Sequence, residues 1–253
     1  MRETLAIAGV TIREVLRRKL QVNLLFFGAA LVLASHLVGS LTLGERYRIL
    51  ADMGLTSMQL IGLLVAVFVG SSLVAGDMER RVLQPVLAKP VPRGGYVVGR
   101  YLGLAVVLLL NLAVMAVLLG LVLALDAGGL KPLGPPNLGA VGLLGVQFLV
   151  VGSVSVLFSS VSSATLAAVF SMAVAIAGQM TGEIRALWKG GATWIPQLIW
   201  YLVPNLSALN ANESLVYGTA PSTQAWLAAA YGLCYAAAAL ALAVLAFERR
   251  DLR

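Results

Sequence analysis

The sequence predicts an all-α protein that crosses a membrane several times. Hydrophobic residues make up 60% of its 253 residues, charged residues only 11%, and the mean hydropathy is +0.92. Soluble domains carry about 25% charged residues, so this composition excludes an ordinary soluble fold. Six apolar runs are long enough for a helix of about 20 residues to cross the hydrocarbon core. We expect helices because backbone groups in lipid must be paired within their own segment.

The six predicted spans belong to a single transmembrane domain, which covers residues 1–253. Apart from terminal positions, they contain no Asp, Glu, Lys or Arg. The spans cover residues 22–44, 56–76, 98–124, 139–159, 163–182 and 224–247.

Residues 1–20 precede the first span and are predicted to form an interfacial helix. Apolar residues recur there at helical spacing, and Glu14 stands four positions before Arg18, where the two can pair on a helix. Such a helix lies in the membrane surface before the chain turns into the bilayer. The alternative is a charged segment that merely precedes the first span. The apolar positions are Leu5, Ala8, Ile12, Val15 and Leu16.

The connection before the last span, residues 183–224, is predicted to lie outside and to hold a re-entrant or interfacial piece. Its run IPQLIWYLV, residues 195–203, is too short to span the bilayer and too apolar for a solvated loop. Its aromatic residues either anchor helix ends at one interface or contact substrate, and the sequence leaves both open. The candidate residues are Trp188, Trp194, Trp200 and Tyr201.

Lys and Arg are distributed unevenly between the two predicted sides of the membrane. Thirteen lie in the N-terminal arm, the block 77–100 and the C-terminal tail, and five lie in the remaining connections. Because short cytoplasmic loops are enriched in Lys and Arg, we expect both termini in the cytoplasm of a bacterial or archaeal inner membrane. The net charge of +7 is then mainly a topology signal. Nucleic-acid binding is not expected, since no soluble domain carries the basic residues.

Motifs that indicate catalysis or cofactor binding are missing from the sequence. It contains no P-loop, no HExxH, no CxxC and no Gly-x-Ser-x-Gly. We therefore expect neither an enzyme nor a cofactor or metal site in this chain. No carboxylate lies in the middle of a predicted span, although secondary carriers usually need one for coupling. The energy source is accordingly expected to be a separate protein.

Several polar residues do lie within the predicted spans. They either line a path through the membrane or form hydrogen bonds between helices, and the second interpretation is favoured. Gly99 and Gly103 also match a small-xxx-small pattern, which allows two helices to approach closely. The polar residues are Asn23, His36, Asn111, Gln147 and Gln179.

Residues 77–100, DMERRVLQPVLAKPVPRGGYVVGR, form a dense charged block that holds five of the 18 Lys and Arg residues. Apolar residues between positions 82 and 87 give it a small hydrophobic face, and Pro85 interrupts a straight helix. A short amphipathic helix between two hinges would fit a groove of another protein. A solvated, positively charged loop with interfacial leucines is the alternative, and composition leaves both open.

This block resembles the signature of permeases of the type-2 exporter class of ABC transporters. In that class an acidic residue at the end of the second span leads into a Leu-rich coupling helix and a Lys/Ala-Pro-Val-x-Arg exit. The C-terminal residues 247–252, the six-span layout and the N-terminal helix fit as well, and the chain is similar to the branch with copper-enzyme-assembly and gliding-motility permeases. The matching residues are Glu79, Leu83, Leu87, Lys89, Pro90, Val91 and Arg93.

The resemblance implies a permease that pairs with a second copy or a paralogue in the lipid bilayer. Two cytoplasmic ATPase subunits would hold ATP and Mg and drive export of a substrate. The expected contacts with an ATPase are Glu79, Arg80, Arg81, Leu83, Val86, Leu87, Lys89, Pro90 and Arg93. A possible second coupling turn contains Ser159, Ser160, Ser162 and Ser163.

A second hypothesis comes from a different class of function. The chain would relay ATPase motion to a periplasmic partner, or to motility or pilus machinery, without moving a substrate. Its contact surface would be the outer segment 183–224.

Overall fold

The computed structural model describes residues 2–40, 46–79, 93–127, 135–181, 203–210 and 223–249. These residues are helical almost throughout, which confirms the all-α prediction for the part of the chain that is described. A short 3-10 turn covers Ser207–Leu209. The α-helices are α1 (Arg2–Leu16), α2 (Lys19–Ser40), α3 (Arg46–Glu79), α4 (Arg93–Ala127), α5 (Pro135–Val161), α6 (Ala164–Gln179) and α7 (Thr223–Glu248).

Helices α3, α4, α5 and α7 are long and apolar enough to cross a membrane. The chain is therefore a multi-pass membrane protein. Two further apolar stretches, Leu24–Ala34 and Ala164–Gln179, are shorter within the described residues. They coincide with the first and fifth predicted spans, so the count of six spans stays a prediction.

Three helices, α3, α4 and α5, contact one another at the centre of the bundle. Each remaining long helix fills a groove between two of them. Helix α2 lies against α3 and α4, α6 lies against α3 and α5, and α7 lies against α4 and α5. The N-terminal helix α1 packs mainly on α4.

Glycines allow the central helices to approach closely. Gly62 of α3 faces the ring of Phe148 in α5 with no space for a Cβ, and a Cβ at Gly70 would lie 2.7 Å from Cβ of Ser155. Lipid offers no hydrophobic driving force between helices, so van der Waals packing at such contacts stabilises a bundle. The sequence thus encodes the helix interfaces in small residues.

Successive long helices run in opposite directions. At one end of the bundle, the ring of Tyr96 near the start of α4 stacks on Phe247 at the end of α7, with centroids 5.9 Å apart. At the other end, Gly54 near the start of α3 contacts Leu119 near the end of α4. We call the end that contains Tyr96 the charged end, because the ion pairs described below lie there.

Residues 203–210, the described part of the predicted outer segment, pack into the opposite end of the bundle. Leu206 and Leu209 are fully buried, and the backbone N–H of Leu206 donates to the carbonyl of Gly178 at 3.0 Å. This part of the segment is therefore anchored to α6. The predicted re-entrant run 195–203 lies outside the described residues except for its last position.

Candidate functional site at the charged end of the bundle

Asp77 and Arg100 form a buried ion pair near the points where α3 and α4 meet the segment 80–92. Their side chains are only 9% and 8% exposed. Arg100 Nη2 donates to Asp77 Oδ2, and the hydroxyl of Tyr96 donates to the same oxygen. Arg100 Nε donates in turn to the Tyr96 oxygen at 3.1 Å. The pair therefore ties together the two helices that flank the predicted coupling segment.

Arg100 also joins α4 to α1. Its Nη1 donates to Glu14 Oε2 at 2.6 Å and lies 3.3 Å from Thr11 Oγ1. Glu14 accepts a second bond at 2.6 Å from Arg18 Nη2, which confirms the pairing expected from their spacing. Arg18 Nη1 then donates to Ser72 Oγ of α3 at 2.6 Å. Three helices are thus connected through side chains.

These side chains form one network, which we call the charged cluster. Two carboxylates and two guanidinium groups balance in charge, so each buried charge faces an opposite one, as low-dielectric surroundings require. The members are Thr11, Glu14, Arg18, Ser72, Asp77, Tyr96 and Arg100.

The electrostatics of Glu14 follow from this arrangement. Burial by itself raises the pKa of a carboxyl group, because it disfavours the charged form. Here the hydrogen bonds and positive charges of Arg18 and Arg100 outweigh burial, so the pKa of Glu14 lies below its ordinary value of 4.5. Glu14 is therefore held as a carboxylate between two arginines at neutral pH.

Helix α1 reaches the cluster because α4 presents a flat surface to it. A Cβ at Gly99 would lie 2.8 Å from the carbonyl oxygen of Thr4, and one at Gly103 would lie 2.9 Å from that of Ala8. The small-xxx-small pattern is thus confirmed as a helix contact, here between α4 and α1. On α1 the buried face includes Ala8 and Val15.

Two of the apolar residues predicted for α1 do not lie on the face that packs against the bundle. Leu5 and Leu16 are exposed on the side that turns away from the bundle. Thr11, which is polar, is fully buried instead, because its hydroxyl donates to the carbonyl of Ile7 at 2.9 Å.

Ser159, at the end of α5, inserts its hydroxyl group against the backbone of α3. The hydroxyl donates to the carbonyl of Ser71 at 2.6 Å and accepts from the N–H groups of Val74 and Ala75 at 3.1 and 2.9 Å. All of these groups are buried. Ser159 therefore fixes α5 to the last turns of α3, next to the charged cluster.

Glu79 connects the end of α3 to the start of α6. Its Oε1 accepts from the backbone N–H of Ala164 at 3.2 Å. A carboxylate is favourable at a helix start because the first N–H groups have no partner within the helix. Of the other predicted turn residues, Ser160 is buried, Ser162 is partly exposed and Ser163 is exposed. The two predicted coupling elements thus meet at Glu79.

Most residues of the predicted ATPase contact lie outside the described part of the chain. Glu79 is described, as is the backbone of Arg93, which begins α4. The contact with an ATPase therefore stays a prediction. The predicted residues outside the described ranges are Arg80, Arg81, Leu83, Val86, Leu87, Lys89 and Pro90, together with Trp188, Trp194, Trp200 and Tyr201.

No sequence pattern singles out the centre of this site. Asp77 and Arg100 are predicted only as members of the charged block, Gly99-Arg100 also resembles the Gly-Lys that commonly opens the third span in type-2 permeases, and Tyr96 has no predicted role. One signal was available, because Tyr96 and Arg100 stand four positions apart on a helix and therefore share a face. The partner Glu14 lies 86 positions before Arg100, and no local pattern connects the two.

Two polar residues in the middle of the bundle differ from the charged cluster. Asn111 of α4 lines a small cavity whose other walls are apolar, and Gln147 of α5 is fully buried. Neither amide group has a hydrogen-bond partner among the described residues, and Nε2 of Gln179 has none there either. The interhelical hydrogen bonds expected for Asn111 and Gln147 are therefore not formed within these residues. The side chains of Asn23 and His36 lie outside the described ones.

A family model described as ABC-2 family transporter protein matches residues 7–252. The chain belongs to the ABC-2 transporter family. It is therefore a transmembrane permease of an ABC transporter, a type of subunit that is not itself catalytic and that associates with an ABC ATPase. This confirms the resemblance to type-2 permeases, while the particular branch stays a prediction. No curated protein matches the chain in sequence.

Proposed function

We propose that this ABC-2 family permease is the membrane subunit of an ATP-driven exporter, and that ATPase motion reaches its helices through the charged cluster. The ion pair of Asp77 with Arg100 is the observation that supports this proposal most strongly. It joins the two helices that flank the coupling segment 80–92, and Arg100 extends the connection to Glu14 of α1.

The mechanism follows from the way in which these contacts connect the helices. A push on segment 80–92 displaces the end of α3 and the start of α4 together, because the buried pair resists their separation. Ser159 and Glu79 pass the displacement from α3 to α5 and α6. Fully satisfied polar networks rigidify the elements that they join. The charged end therefore moves as a unit, and the displacement is transmitted along the helices of the bundle.

The remaining parts of the proposal concern topology and partners. Helices α2 and α6 also cross the inner membrane, which gives six spans, and α1 is the interfacial elbow helix. A re-entrant piece precedes α7. Both termini and the charged end face the cytoplasm, which agrees with the excess of Lys and Arg in the N-terminal arm, the block 77–100 and the C-terminal tail. Two ATPase subunits, which hold ATP and Mg, dock on a pair of permeases.

Co-purification with the ATPase subunit tests the docking role. Reversing the charges of Arg80 and Arg81, with both changed to Glu, is expected to abolish complex formation and coupled ATPase activity. The matched control reverses Arg185 and Lys189, which lie in the predicted outer segment, and it is expected to leave the complex intact. Unchanged binding and activity in the Arg80/Arg81 variant would contradict docking at this segment.

A second variant separates transmission from docking. Arg100→Gln removes the hub of the charged cluster but leaves segment 80–92 unchanged. We expect the ATPase to bind normally, while the stimulation of its activity by the permease falls about tenfold. A change of this size is typical of coupling between two sites. A variant that loses binding and coupling in equal measure would show that the cluster supports docking and does not transmit motion.

A further inference from the structure

The outward face of α1 carries both basic and apolar side chains. Leu5 and Leu16 are 65% and 38% exposed, and Arg13 and Arg17 are exposed as well. At 100° per residue the two leucines share one side of α1 and the two arginines lie next to them around the helix, both away from the buried Ala8 and Val15. The helix therefore presents one side to the charged cluster and a different, amphipathic side away from the bundle.

The arginines on the two sides of α1 differ in their partners. Arg18 is bound to Glu14 and Ser72 inside the bundle. Arg13 and Arg17 make no ion pair or hydrogen bond with any described residue. Glu3 is the one exposed acidic residue among those described in α1, and it lies ten positions from Arg13, about 15 Å along the helix axis. The outward face thus has unbalanced positive charge.

Exposed apolar side chains also occur in the first turns of α2. Val22, Phe26 and Phe27 follow in the chain and are 53%, 77% and 54% exposed. In a multi-pass membrane protein, a large apolar surface of this kind faces lipid. The arginines of α1 therefore lie beside a surface that contacts acyl chains. Lipid phosphate groups are found next to the acyl chains, so the arginines lie at the depth of these phosphates.

We propose that the outward face of α1 binds the headgroups of anionic phospholipids. The guanidinium groups of Arg13 and Arg17 bind phosphate oxygens through paired hydrogen bonds. Leu5 and Leu16 enter the acyl region, as in other amphipathic helices that lie in a membrane interface. Charge complementarity favours an anionic lipid over a neutral one, and the adjoining apolar surface favours a lipid over a soluble protein.

Binding at this face has a structural consequence for the inner side of the same helix. Glu14 holds both Arg18 and Arg100, so the position of α1 sets the position of one wall of the charged cluster. A lipid bound to the outward face holds α1 against α4 and stabilises the cluster. Anionic lipid is therefore a ligand of the folded permease itself, and this inference does not depend on the identity of the ATPase.

Thermal unfolding of the full-length permease in an uncharged detergent tests the inference. Phosphatidylglycerol is titrated into the protein, with phosphatidylcholine as the neutral comparison. A ligand that binds only the folded state raises the unfolding temperature, and above its dissociation constant the rise continues with the logarithm of the ligand concentration. We expect such a rise with phosphatidylglycerol, none with phosphatidylcholine, and a decrease of the effect with added salt.

Variants of the two arginines provide the decisive comparison. Each basic residue at an anionic surface strengthens binding about fivefold, so Arg13→Gln with Arg17→Gln should raise about thirtyfold the lipid concentration that gives the same rise in unfolding temperature. Arg13→Lys with Arg17→Lys keeps the charge but not the paired hydrogen bonds, so it should weaken the response far less than the glutamine variant. The matched control, Arg185→Gln with Lys189→Gln, removes two positive charges elsewhere and should behave as the wild type.

Several results would overturn the inference. One is an unchanged response to phosphatidylglycerol in the Arg13/Arg17 glutamine variant, and another is an equal loss in the Arg185/Lys189 control. A rise of the same size with soluble glycerol phosphate would assign the site to free phosphate, and a rise with phosphatidylcholine would show that charge is irrelevant. If the double glutamine variant does not fold, each single variant should still raise about fivefold the lipid concentration that gives the same rise in unfolding temperature.

Discussion

The charged cluster and the middle of the bundle differ in whether their buried polar side chains have partners among the described residues. In the cluster, Asp77 and Arg100 are buried and each is bound to several partners. In the middle, Asn111 and Gln147 are equally buried but have no partner among the described residues. Buried polar groups stabilise a protein only when they are paired. We therefore expect loss of one partner in the cluster to be costly, whereas replacement of an amide without a partner among the described residues should cost little or stabilise the permease.

Removing one member of the buried ion pair should have the largest effect on stability. Asp77→Ala leaves the guanidinium of Arg100 without its nearest charge, and such changes cost about 3–5 kcal/mol. Thermal unfolding of the purified permease measures the loss. The double variant Asp77→Ala with Arg100→Ala should recover part of it, because no unpaired charge remains at this position of α4.

The control for this prediction is Glu79→Ala. Glu79 is exposed and, among the described residues, makes one hydrogen bond, to the backbone of Ala164, so its loss should cost well under half as much. If Asp77→Ala and Glu79→Ala destabilise the permease equally, burial of the ion pair does not explain the contribution of the charged cluster to stability.

Ser159→Ala should have the second-largest effect. It removes the hydroxyl that bonds the carbonyl of Ser71 and two N–H groups of α3, and the net loss of one such hydrogen bond costs about 0.5–1.5 kcal/mol. Ser162→Ala is the matched control, because among the described residues the hydroxyl of Ser162, which follows the end of α5, bonds only the carbonyl of Phe158 in the last turn of α5. Similar unfolding temperatures for the two variants would show that the contact with α3 contributes nothing.

Asn111→Leu should change stability in the opposite direction. Leucine has a similar size and no polar group to leave unpaired, so we expect the variant to be more stable by about 1 kcal/mol. Leu112→Asn, in the wall of the same cavity, is the reciprocal control and should lower stability. A lower unfolding temperature for Asn111→Leu would show that Asn111 has a stabilising partner, and the contrast between the two regions would disappear.

Acidic pH should produce the smallest effect, through Glu14. Its pKa is lower in the folded state than in the unfolded state, so its contribution is fully present above its ordinary pKa of 4.5 and is lost as the pH falls through the lower folded value. The unfolding temperature should therefore fall more steeply in this range for the wild type than for Glu14→Gln. Parallel pH profiles of the two proteins would contradict the assigned role of Glu14.

The sequence analysis predicted the parts of the fold that depend on local composition. Apolar runs locate α3, α4, α5 and α7, and the spacing of Glu14 and Arg18 predicts their pair. It did not predict that Asp77 is buried, because a charged residue beside a basic block is expected to be solvated. Burial becomes favourable only when the packing of α4 against α3 brings Arg100 and Tyr96 to it.

By itself, the sequence determined the membrane location, the helical class and membership of the ABC-2 transporter family, since hydropathy and a family pattern are properties of the linear chain. The tertiary structure alone decided which charged residues are partners. Glu14 and Arg100 are 86 positions apart and meet because Gly99 and Gly103 let α1 approach α4. Such a contact depends on the packing of whole helices. No local stretch of sequence therefore predicts it or its contribution to stability.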